Sequence, residues 1–276
     1  MDNDVAQGET PVHGTRLLSA LILLPLFILL VLYGGEAGFA LLAMVVVAIG
    51  LWEFTRLTDQ STGALRLFAM AGGVGLIAAT AWGGAAWFGL GVLLLMLVEL
   101  GRLVVGGGAM EANLRRAALA FLGVVYIAGP LAVAVLLRGM PGGERYVLLV
   151  CGIVWVGDTA AFYVGSSLGR HPLAPRVSPR KSVEGGVAGL TGSIVAAAAL
   201  ARALGVPAAF GPSLVVGAVV GTAGQMGDLV ESLMKRSFQV KDTGRLIPGH
   251  GGMLDRIDSL LFAIPVFYLW VRLGWI

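Results

Sequence analysis

Charge is scarce in this sequence. Only 13% of its 276 residues are charged, 57% are hydrophobic, and the mean hydropathy is +0.88. Because about a quarter of the residues in a soluble domain are charged, this composition excludes an ordinary soluble protein and predicts an integral membrane protein. The apolar runs are long and do not alternate with polar residues, which indicates helices and excludes a transmembrane β-barrel.

Cysteine is almost absent. The single thiol, Cys151, lies inside an apolar run. One cysteine excludes an intramolecular disulfide and a cysteine-based metal site, so we expect it to be a packing residue. A cleavable signal peptide is not expected either, because residues 1–15 are polar and mildly acidic and the apolar run after Arg16 is long enough to span a membrane.

Runs of about 20 apolar residues, the length that crosses a bilayer as a helix, recur along the chain. They predict nine membrane helices, near residues 16–33, 37–54, 66–83, 86–104, 116–137, 146–167, 185–204, 211–234 and 258–274. We expect residues 1–14 to be a disordered tail and residues 15–276 to be one transmembrane domain, with N-terminal helices in 15–145 and a catalytic half in 146–276.

The positive residues are distributed asymmetrically around these helices. With the N-terminus in the cytoplasm, fifteen of the 19 lysines and arginines fall on the cytoplasmic side, and only Arg138, Arg145, Arg202 and Arg272 fall on the other. Cytoplasmic loops are enriched in Lys and Arg, so this distribution favours nine helices and a cytoplasmic N-terminus. The net charge of +3 suits an anionic leaflet and anionic substrates, and it requires no nucleic acid.

The 42 glycines suit close helix packing inside lipid, where small residues let backbones approach. We expect this structural role for the two glycine-rich runs, which contain Gly72, Gly73 and Gly75, and Gly185, Gly186 and Gly189. Three glutamates at the ends of predicted helices, near arginines, are expected to be interfacial: Glu53, Glu99 and Glu111.

Residues 232–258 concentrate charge that the rest of the chain lacks. This segment combines Lys235, Arg236, Lys241, Arg245 and Arg256 with Asp242, Asp255, Asp258 and His250. Cations can neutralise phosphate oxygens, and Mg²⁺ prefers one or two carboxylates completed by substrate phosphates. Glycines beside His250, including Gly251 and Gly252, let backbone N–H groups approach an anion. A loop that only orients a membrane protein explains the cations but not the aspartates or His250, so we favour chemistry on a polyphosphate.

Asp158 lies inside the sixth predicted helix, where a carboxylate is costly unless it faces a cavity or an ion. A structural hydrogen bond, to Thr159 or to another helix, explains its position equally well. The polar loop after this helix precedes the seventh, and helix N-termini favour phosphate. We therefore expect a nucleotide-phosphate cradle formed by Ser178, Arg180, Lys181, Ser182 and Glu184.

The eighth predicted helix ends with one polar face. Asp228, Glu231, Ser232 and Lys235 are spaced i, i+3, i+4 and i+7, which places them on one side of a helix. We expect this face to point into a cavity. A salt bridge between Glu231 and Lys235 is the structural alternative for that pair, but it leaves Asp228 unexplained.

Two motifs of this sequence are S-x-M-K-R-x4-K-D-x-G-x2-I-P-x-H-G-G-M-x-D-R-I-D, over residues 232–258, and S-P-R-K-S-V-E-G, over residues 178–185. Both resemble the signatures of the phosphatidate cytidylyltransferases, or CDP-diacylglycerol synthases. The resemblance covers about Trp155 to Asp258, with Gly157 and Ser166 departing from the usual pattern. It implies a membrane enzyme of phospholipid biosynthesis that converts CTP and phosphatidate to CDP-diacylglycerol and pyrophosphate. It also implies the bacterial cytoplasmic (inner) membrane, with the active site facing the cytoplasm.

The resemblance implies that Asp228 and Asp255 bind Mg²⁺, with room for a second, monovalent cation such as K⁺. Further catalytic residues expected from it are Lys235, Arg236, Lys241, Asp242, His250, Arg256 and Asp258. The expected substrate contacts are Asp158, Ser178, Arg180, Lys181, Ser182, Glu184, Gly251 and Gly252. The implied partners are CTP, phosphatidate and membrane lipid, without nucleic acid, and a homodimer is allowed.

Two other functions use similar features. A CTP-dependent lipid kinase, of the polyprenol or phytol kinase type, would use similar residues but would release CDP instead of pyrophosphate. A membrane transporter would explain nine helices and Asp158, but it gives no reason for the His-Gly-Gly sequence at residues 250–252. A CDP-alcohol phosphotransferase would need the pattern D-G-x2-A-R-x8-G-x3-D-x3-D, which this sequence lacks.

Overall fold

The computed structural model describes residues 12–58, 63–105, 107–240, 243–244 and 251–275, with side chains from residue 21 onward. Of the predicted tail, residues 1–14, only 12–14 fall within these ranges, and they begin the first helix. Several predicted site residues lie outside the described residues: Lys241, Asp242, Arg245 and His250.

The described chain is nearly all-α, as predicted. Its elements are α1 (Val12–Tyr33), α2 (Gly35–Leu57), α3 (Gly63–Val105), α4 (Met110–Gly123), a π-helical stretch (Val124–Ala128), α5 (Gly129–Arg138), α6 (Gly143–Leu168), β1 (Pro172–Ala174), β2 (Ser178–Ser182), α7 (Val183–Ala203), α8 (Phe210–Ser237) and α9 (Leu254–Arg272). Six helical segments of these residues are long and apolar enough to cross a membrane: Gly35–Leu57, Gly63–Val105, Met110–Arg138, Gly143–Leu168, Val183–Ala203 and Phe210–Ser237. They agree with an integral membrane protein.

Helix α3 bends sharply at Gly84, where φ is 67° and ψ is −152°. Only glycine adopts this backbone conformation readily. The two halves of α3 pack against each other, because a Cβ added at Gly72 would lie 2.8 Å from the side chain of Leu95, and one at Gly91 would lie 2.8 Å from Leu76. Both contacts are centred on the bend, so the halves run antiparallel. The third and fourth predicted helices are therefore joined as a helical hairpin.

Small residues bring α6 and α7 close together. A Cβ added at Gly157 of α6 would collide with the Ser193 hydroxyl of α7, and one at Gly189 would lie 3.0 Å from Ala161. A Cβ at Gly185 would lie 2.9 Å from the Ala161 carbonyl oxygen. The expected packing role of this glycine run is confirmed. Position 157 is also one of the two places where the sequence departs from the usual family pattern. Glycine suits this position because a side chain would push α6 and α7 apart.

The two ends of the helical bundle differ. At one end, Arg138 Nε of α5 donates to the Val31 carbonyl oxygen of α1 at 3.2 Å. At the same end, Arg145 Nη1 at the start of α6 donates to the carbonyl oxygen of Gly205, just after α7, at 3.3 Å. At the opposite end, where α9 begins, Glu53 of α2 contacts Leu254 and Lys181 contacts Asp228 of α8. We call this second end the α9 end, and the predicted site residues gather there.

Candidate functional site

Three carboxylates meet between α8 and α9. One oxygen from each of Asp228, Glu231 and Asp258 lies within 4.8 Å of the others, and we call these residues the carboxylate cluster. Asp228 and Glu231 share a face of α8 because they are one turn apart. Helix α9 approaches that face closely, since a Cβ at Gly227 would lie 2.5 Å from the Asp258 carbonyl oxygen. Glu231 is buried, whereas the side chain of Asp228 is 35% exposed, so the cluster extends from the protein interior toward its surface.

The cluster has the chemistry of a cation site. Glu231 Oε1 is buried and has no hydrogen-bond partner among the described residues. A buried carboxylate oxygen without a partner is costly, and a bound cation satisfies it. Oxygen ligands from carboxylates are those that Mg²⁺ prefers. The residues present therefore fit a hard divalent ion, which Asp228, Glu231 and Asp258 would hold.

Lys235 links the cluster to Asp255. Its Nζ donates to Glu231 Oε2 at 2.8 Å and to Asp255 Oδ1 at 2.7 Å. The predicted pair of Lys235 and Glu231 is thus confirmed, and the lysine also reaches α9. Among the described residues, Asp228 is grouped with Glu231 and Asp258, whereas Asp255 is outside that group and contacts Lys235.

Asp255 is held by the residues around it. Its Oδ2 accepts from the Gly252 N–H at 2.9 Å, the Thr243 hydroxyl at 2.9 Å and the Thr243 N–H at 3.2 Å. Burial alone would raise the pKa of Asp255, but the hydrogen bonds from Lys235, Gly252 and Thr243 outweigh it and hold that pKa below its ordinary value. The sequence predicts that N–H groups near Gly252 approach an anion. In this structure, the Gly252 N–H donates to the carboxylate of Asp255, which belongs to the protein itself.

The hairpin between α6 and α7 delivers a second lysine. Strands β1 and β2 pair antiparallel, with Pro172 opposite Ser182. Lys181 forms an ion pair with Asp228 Oδ2. Ser182 caps α7 by accepting from the Gly185 N–H at 3.1 Å. The structure thus brings Lys181 of the predicted phosphate cradle to the carboxylate cluster.

The other predicted cradle residues lie farther along the hairpin. Arg180 is exposed and Ser178 is half-buried on β2. Glu184 accepts from the N–H groups of Arg170 at 3.1 Å and His171 at 3.3 Å, and it contacts His171 Nδ1 at 2.5 Å. These bonds tie the chain before β1 to the start of α7. Glu184 therefore holds the hairpin in place, and a substrate contact for it stays a prediction.

Asp158 belongs to the same region. Its carboxylate interacts electrostatically with Asp228, Asp258 and Lys181. The Thr159 hydroxyl donates instead to the Trp155 carbonyl oxygen at 2.7 Å, so it is not the partner of Asp158. Asp158 also forms a side-chain hydrogen bond with Ser259 of α9, which is the expected bond to another helix. Its place beside the carboxylate cluster fits a functional role as well, so both explanations stand.

Glu53 is the site residue that the sequence interpretation missed. The expectation that Glu53 lies at the membrane interface is wrong, because this residue is 0% exposed. Its two oxygens accept from the N–H groups of Met253 and Leu254, each at 2.9 Å, and Oε2 lies 3.4 Å from the Thr243 hydroxyl. Glu53 thus caps the start of α9. The only sequence signal was an acid within an apolar helix, the same signal that identified Asp158.

The remaining predicted residues of the described chain lie around this end. Arg236, in the last turn of α8, and Arg256, in the first turn of α9, are exposed. Gly251 has a φ of 81°, a conformation that favours glycine, and Gly252 is buried against Glu53. A side chain at either position would disturb the turn that leads into α9.

Comparison with known proteins gives consistent matches. Residues 14–273 match the cytidylyltransferase family. A Brucella suis protein named phosphatidate cytidylyltransferase is 32% identical over 264 residues, which cover 92% of each chain. A Bacillus subtilis protein of the same name is 40% identical over 131 residues, 48% of this chain and 49% of the relative. A Staphylococcus epidermidis protein of that name is 44% identical over 124 residues, 45% of this chain and 48% of the relative. The last two matches therefore span about half the length of those relatives.

Proposed function

This chain belongs to the cytidylyltransferase family, and we propose that it transfers the cytidylyl group of CTP to phosphatidate, giving CDP-diacylglycerol and pyrophosphate. The names of its relatives support this substrate pair. The observation that carries the proposal is the carboxylate cluster with Lys181 and Lys235 directly beside it. Such a site offers both a place for a divalent cation and cations for a polyphosphate.

We propose Mg²⁺ as the cation of the cluster, held by Asp228, Glu231 and Asp258. When bound, it would neutralise negative charge on the CTP phosphates and make pyrophosphate a better leaving group. The hydrogen bonds of Asp255 suit a different task, which is to hold Lys235 and the turn at Gly252 in place. A direct contact between Asp255 and Mg²⁺, which the family resemblance implies, is the alternative.

The cations of the chain complete the proposed mechanism. Lys181 and Lys235 are paired with carboxylates of the site. In the proposed complex they bind phosphate oxygens and neutralise charge as the bond to pyrophosphate breaks. The phosphatidate phosphate is already an anion, so its attack on the α-phosphorus of CTP needs no strong general base. Positioning and charge neutralisation then supply most of the acceleration.

We further propose that the chain crosses the bacterial inner membrane nine times with its N-terminus and the α9 end in the cytoplasm. Three of the four cations predicted on the outer side, Arg138, Arg145 and Arg202, lie at the end of the bundle opposite to Asp255. The bend at Gly84 divides the 43 residues of α3 into two halves of membrane-spanning length. Cysteine-accessibility labelling of the loops tests this topology.

The experiment that tests the function measures pyrophosphate and CDP-lipid formed by the detergent-purified protein given CTP, Mg²⁺ and phosphatidate. Both products should form in equal amounts, and omission of any one component should abolish them. The Asp228→Asn variant changes one residue of the proposed site and serves as the inactive control, because it should form little of either product. Formation of CDP without pyrophosphate would instead identify a lipid kinase, and a folded protein that turns over no nucleotide would favour a transporter.

A further inference from the structure

Tyr126 places a buried hydroxyl near the carboxylate cluster. The hydroxyl oxygen has no hydrogen-bond partner among the described residues. Its side chain nevertheless interacts electrostatically with all three carboxylates of the cluster, most strongly with Glu231 and then with Asp258 and Asp228. A buried hydroxyl without a partner is costly, so native proteins usually supply one from the chain, an ordered water or a ligand. The partner of this hydroxyl is therefore to be sought at the cluster.

Tyr126 lies in the π-helical stretch Val124–Ala128, and the sequence explains this local structure. Pro130 has no N–H group, so it cannot donate to the Tyr126 carbonyl oxygen, four residues earlier, as an α-helix requires. The wider turn is seen in the bond from the Gly129 N–H to the Val124 carbonyl oxygen, five residues back. Single π-helical turns inside α-helices are frequent at functional sites. The turn is thus a second feature, independent of the hydroxyl, that distinguishes this residue.

Aromatic contacts hold the ring of Tyr126 where α8 and α9 meet. Its centroid lies 6.4 Å from that of Phe262, edge to face, and 6.5 Å from that of Phe54 of α2. Phe262 is one turn after Asp258 on α9. It also lies at the close approach of the two helices, because a Cβ added at Gly227 would be 3.2 Å from its ring. Apolar contacts therefore fix the ring at the depth of the carboxylate cluster.

We propose that Tyr126 is a positioning residue of the cation site and that its hydroxyl hydrogen-bonds a water molecule bound to the divalent ion. This inference rests on the cation site of the proposed function. Three carboxylates with one oxygen each leave part of the octahedral shell of Mg²⁺ to water and phosphate oxygens. A cation-bound water is polarised and donates strongly, so the tyrosine oxygen accepts from it. The hydroxyl hydrogen then remains available for Glu231 Oε1, which also lacks a partner among the described residues.

Mn²⁺ binding tests this role without CTP and without turnover. Mn²⁺ suits carboxylate and water ligands as Mg²⁺ does, and the EPR signal of free Mn²⁺ measures how much the detergent-purified protein binds. Tyr126→Phe removes only the hydroxyl. It should raise the Kd for Mn²⁺ at least about tenfold, which is the usual loss when an outer hydrogen bond of a metal site is removed.

Three results would overturn the proposal. The first is an equal Kd for the wild type and Tyr126→Phe, and the second is a wild-type protein that binds no Mn²⁺. The third is wild-type affinity in Asp228→Asn, because the ion would then lie outside the carboxylate cluster. Normal CTP turnover together with an equal Kd would refute the role of Tyr126 and leave the proposed function in place.

Tyr146→Phe is the matched control. Tyr146 is also half-buried, and its ring packs edge to face against a phenylalanine of α9, Phe267, with centroids 6.3 Å apart. It follows Arg145, which lies at the opposite end of the bundle. Phe267 is nine residues after Asp258, or about 13 Å farther along the helix axis. Tyr146→Phe should leave the Kd for Mn²⁺ unchanged, and an equal loss in both variants would exclude a specific role for Tyr126.

Thermal unfolding separates this role from a purely structural one. Without a divalent ion, Tyr126→Phe should unfold at the wild-type temperature or above it, because the deleted hydroxyl has no partner among the described residues. Added Mn²⁺ should stabilise the wild type more than the variant, since stabilisation by a ligand grows with its affinity. A variant that is less stable already without the ion would indicate a packing role and refute the proposal. Weaker Mn²⁺ binding by Tyr126→Phe, in a protein that turns over no nucleotide, would refute the proposed function alone.

Discussion

The capping of α9 by Glu53 leads to a quantitative prediction. Glu53 Oε1 accepts from the Met253 N–H and Oε2 from the Leu254 N–H. In Glu53→Gln, one of these oxygens becomes an NH₂ group, so one buried N–H loses its acceptor. An unsatisfied buried donor costs about 1–3 kcal/mol, and the lost negative charge at a helix N-terminus costs about 0.3–1 kcal/mol more. The free energy needed to open the start of α9 should therefore fall by about 2–3 kcal/mol.

Hydrogen–deuterium exchange of the detergent-solubilised protein measures this opening. Exchange of the peptide around residues 253–257 should become about 30- to 150-fold faster in Glu53→Gln, because 1.4 kcal/mol corresponds to a factor of ten. Glu111→Gln is the control, since Glu111 is exposed on α4 and should leave that peptide unchanged. Unchanged protection in Glu53→Gln would refute the view that this carboxylate holds the start of α9.

Three further predictions concern the site and its scaffold. Asp228→Asn should lower turnover at least about 100-fold while membrane insertion and thermal stability remain, and full activity at ordinary Mg²⁺ would remove Asp228 from the metal site. Glu231→Gln should raise the Mg²⁺ concentration for half-maximal turnover by about tenfold or more, whereas Asp255→Asn should lower turnover without that shift; the reverse pattern would place the ion at Asp255. Gly157→Val should destabilise the protein by about 1–3 kcal/mol, seen as a lower unfolding temperature in detergent. Gly75→Val is its control, because a Cβ at Gly75 meets nothing within 4 Å, and an equal loss in both would contradict the packing argument.

Local sequence patterns predicted the parts of this structure that depend on neighbours along the chain. Helical spacing placed Asp228, Glu231 and Lys235 on one face of α8, and the structure has the pair of Glu231 and Lys235 at 2.8 Å. The break near residue 84 was also predictable, because apolar runs ended on both sides of a glycine pair. In both cases the decisive contacts involve residues within one helix or hairpin.

The rest depends on contacts between distant parts of the chain. Glu53 and Leu254 are separated by 201 positions, so no local pattern relates them. The same holds for the carboxylate cluster, because the side of α9 that faces α8 is set by the close approach at Gly227. The sequence showed several aspartates near one another along the chain, but only the packing of α8 on α9 separates Asp258, in the cluster, from Asp255, beside Lys235.

The most direct test of the central claim follows the phosphorus atoms of CTP. The purified protein is given Mg²⁺, phosphatidate and CTP labelled on either the α- or the γ-phosphorus. A cytidylyl transfer predicts that the α-label enters the lipid fraction and that the γ-label is released as pyrophosphate, in equal amounts. Transfer of the γ-label to the lipid, with CDP left in solution, would contradict the proposed reaction.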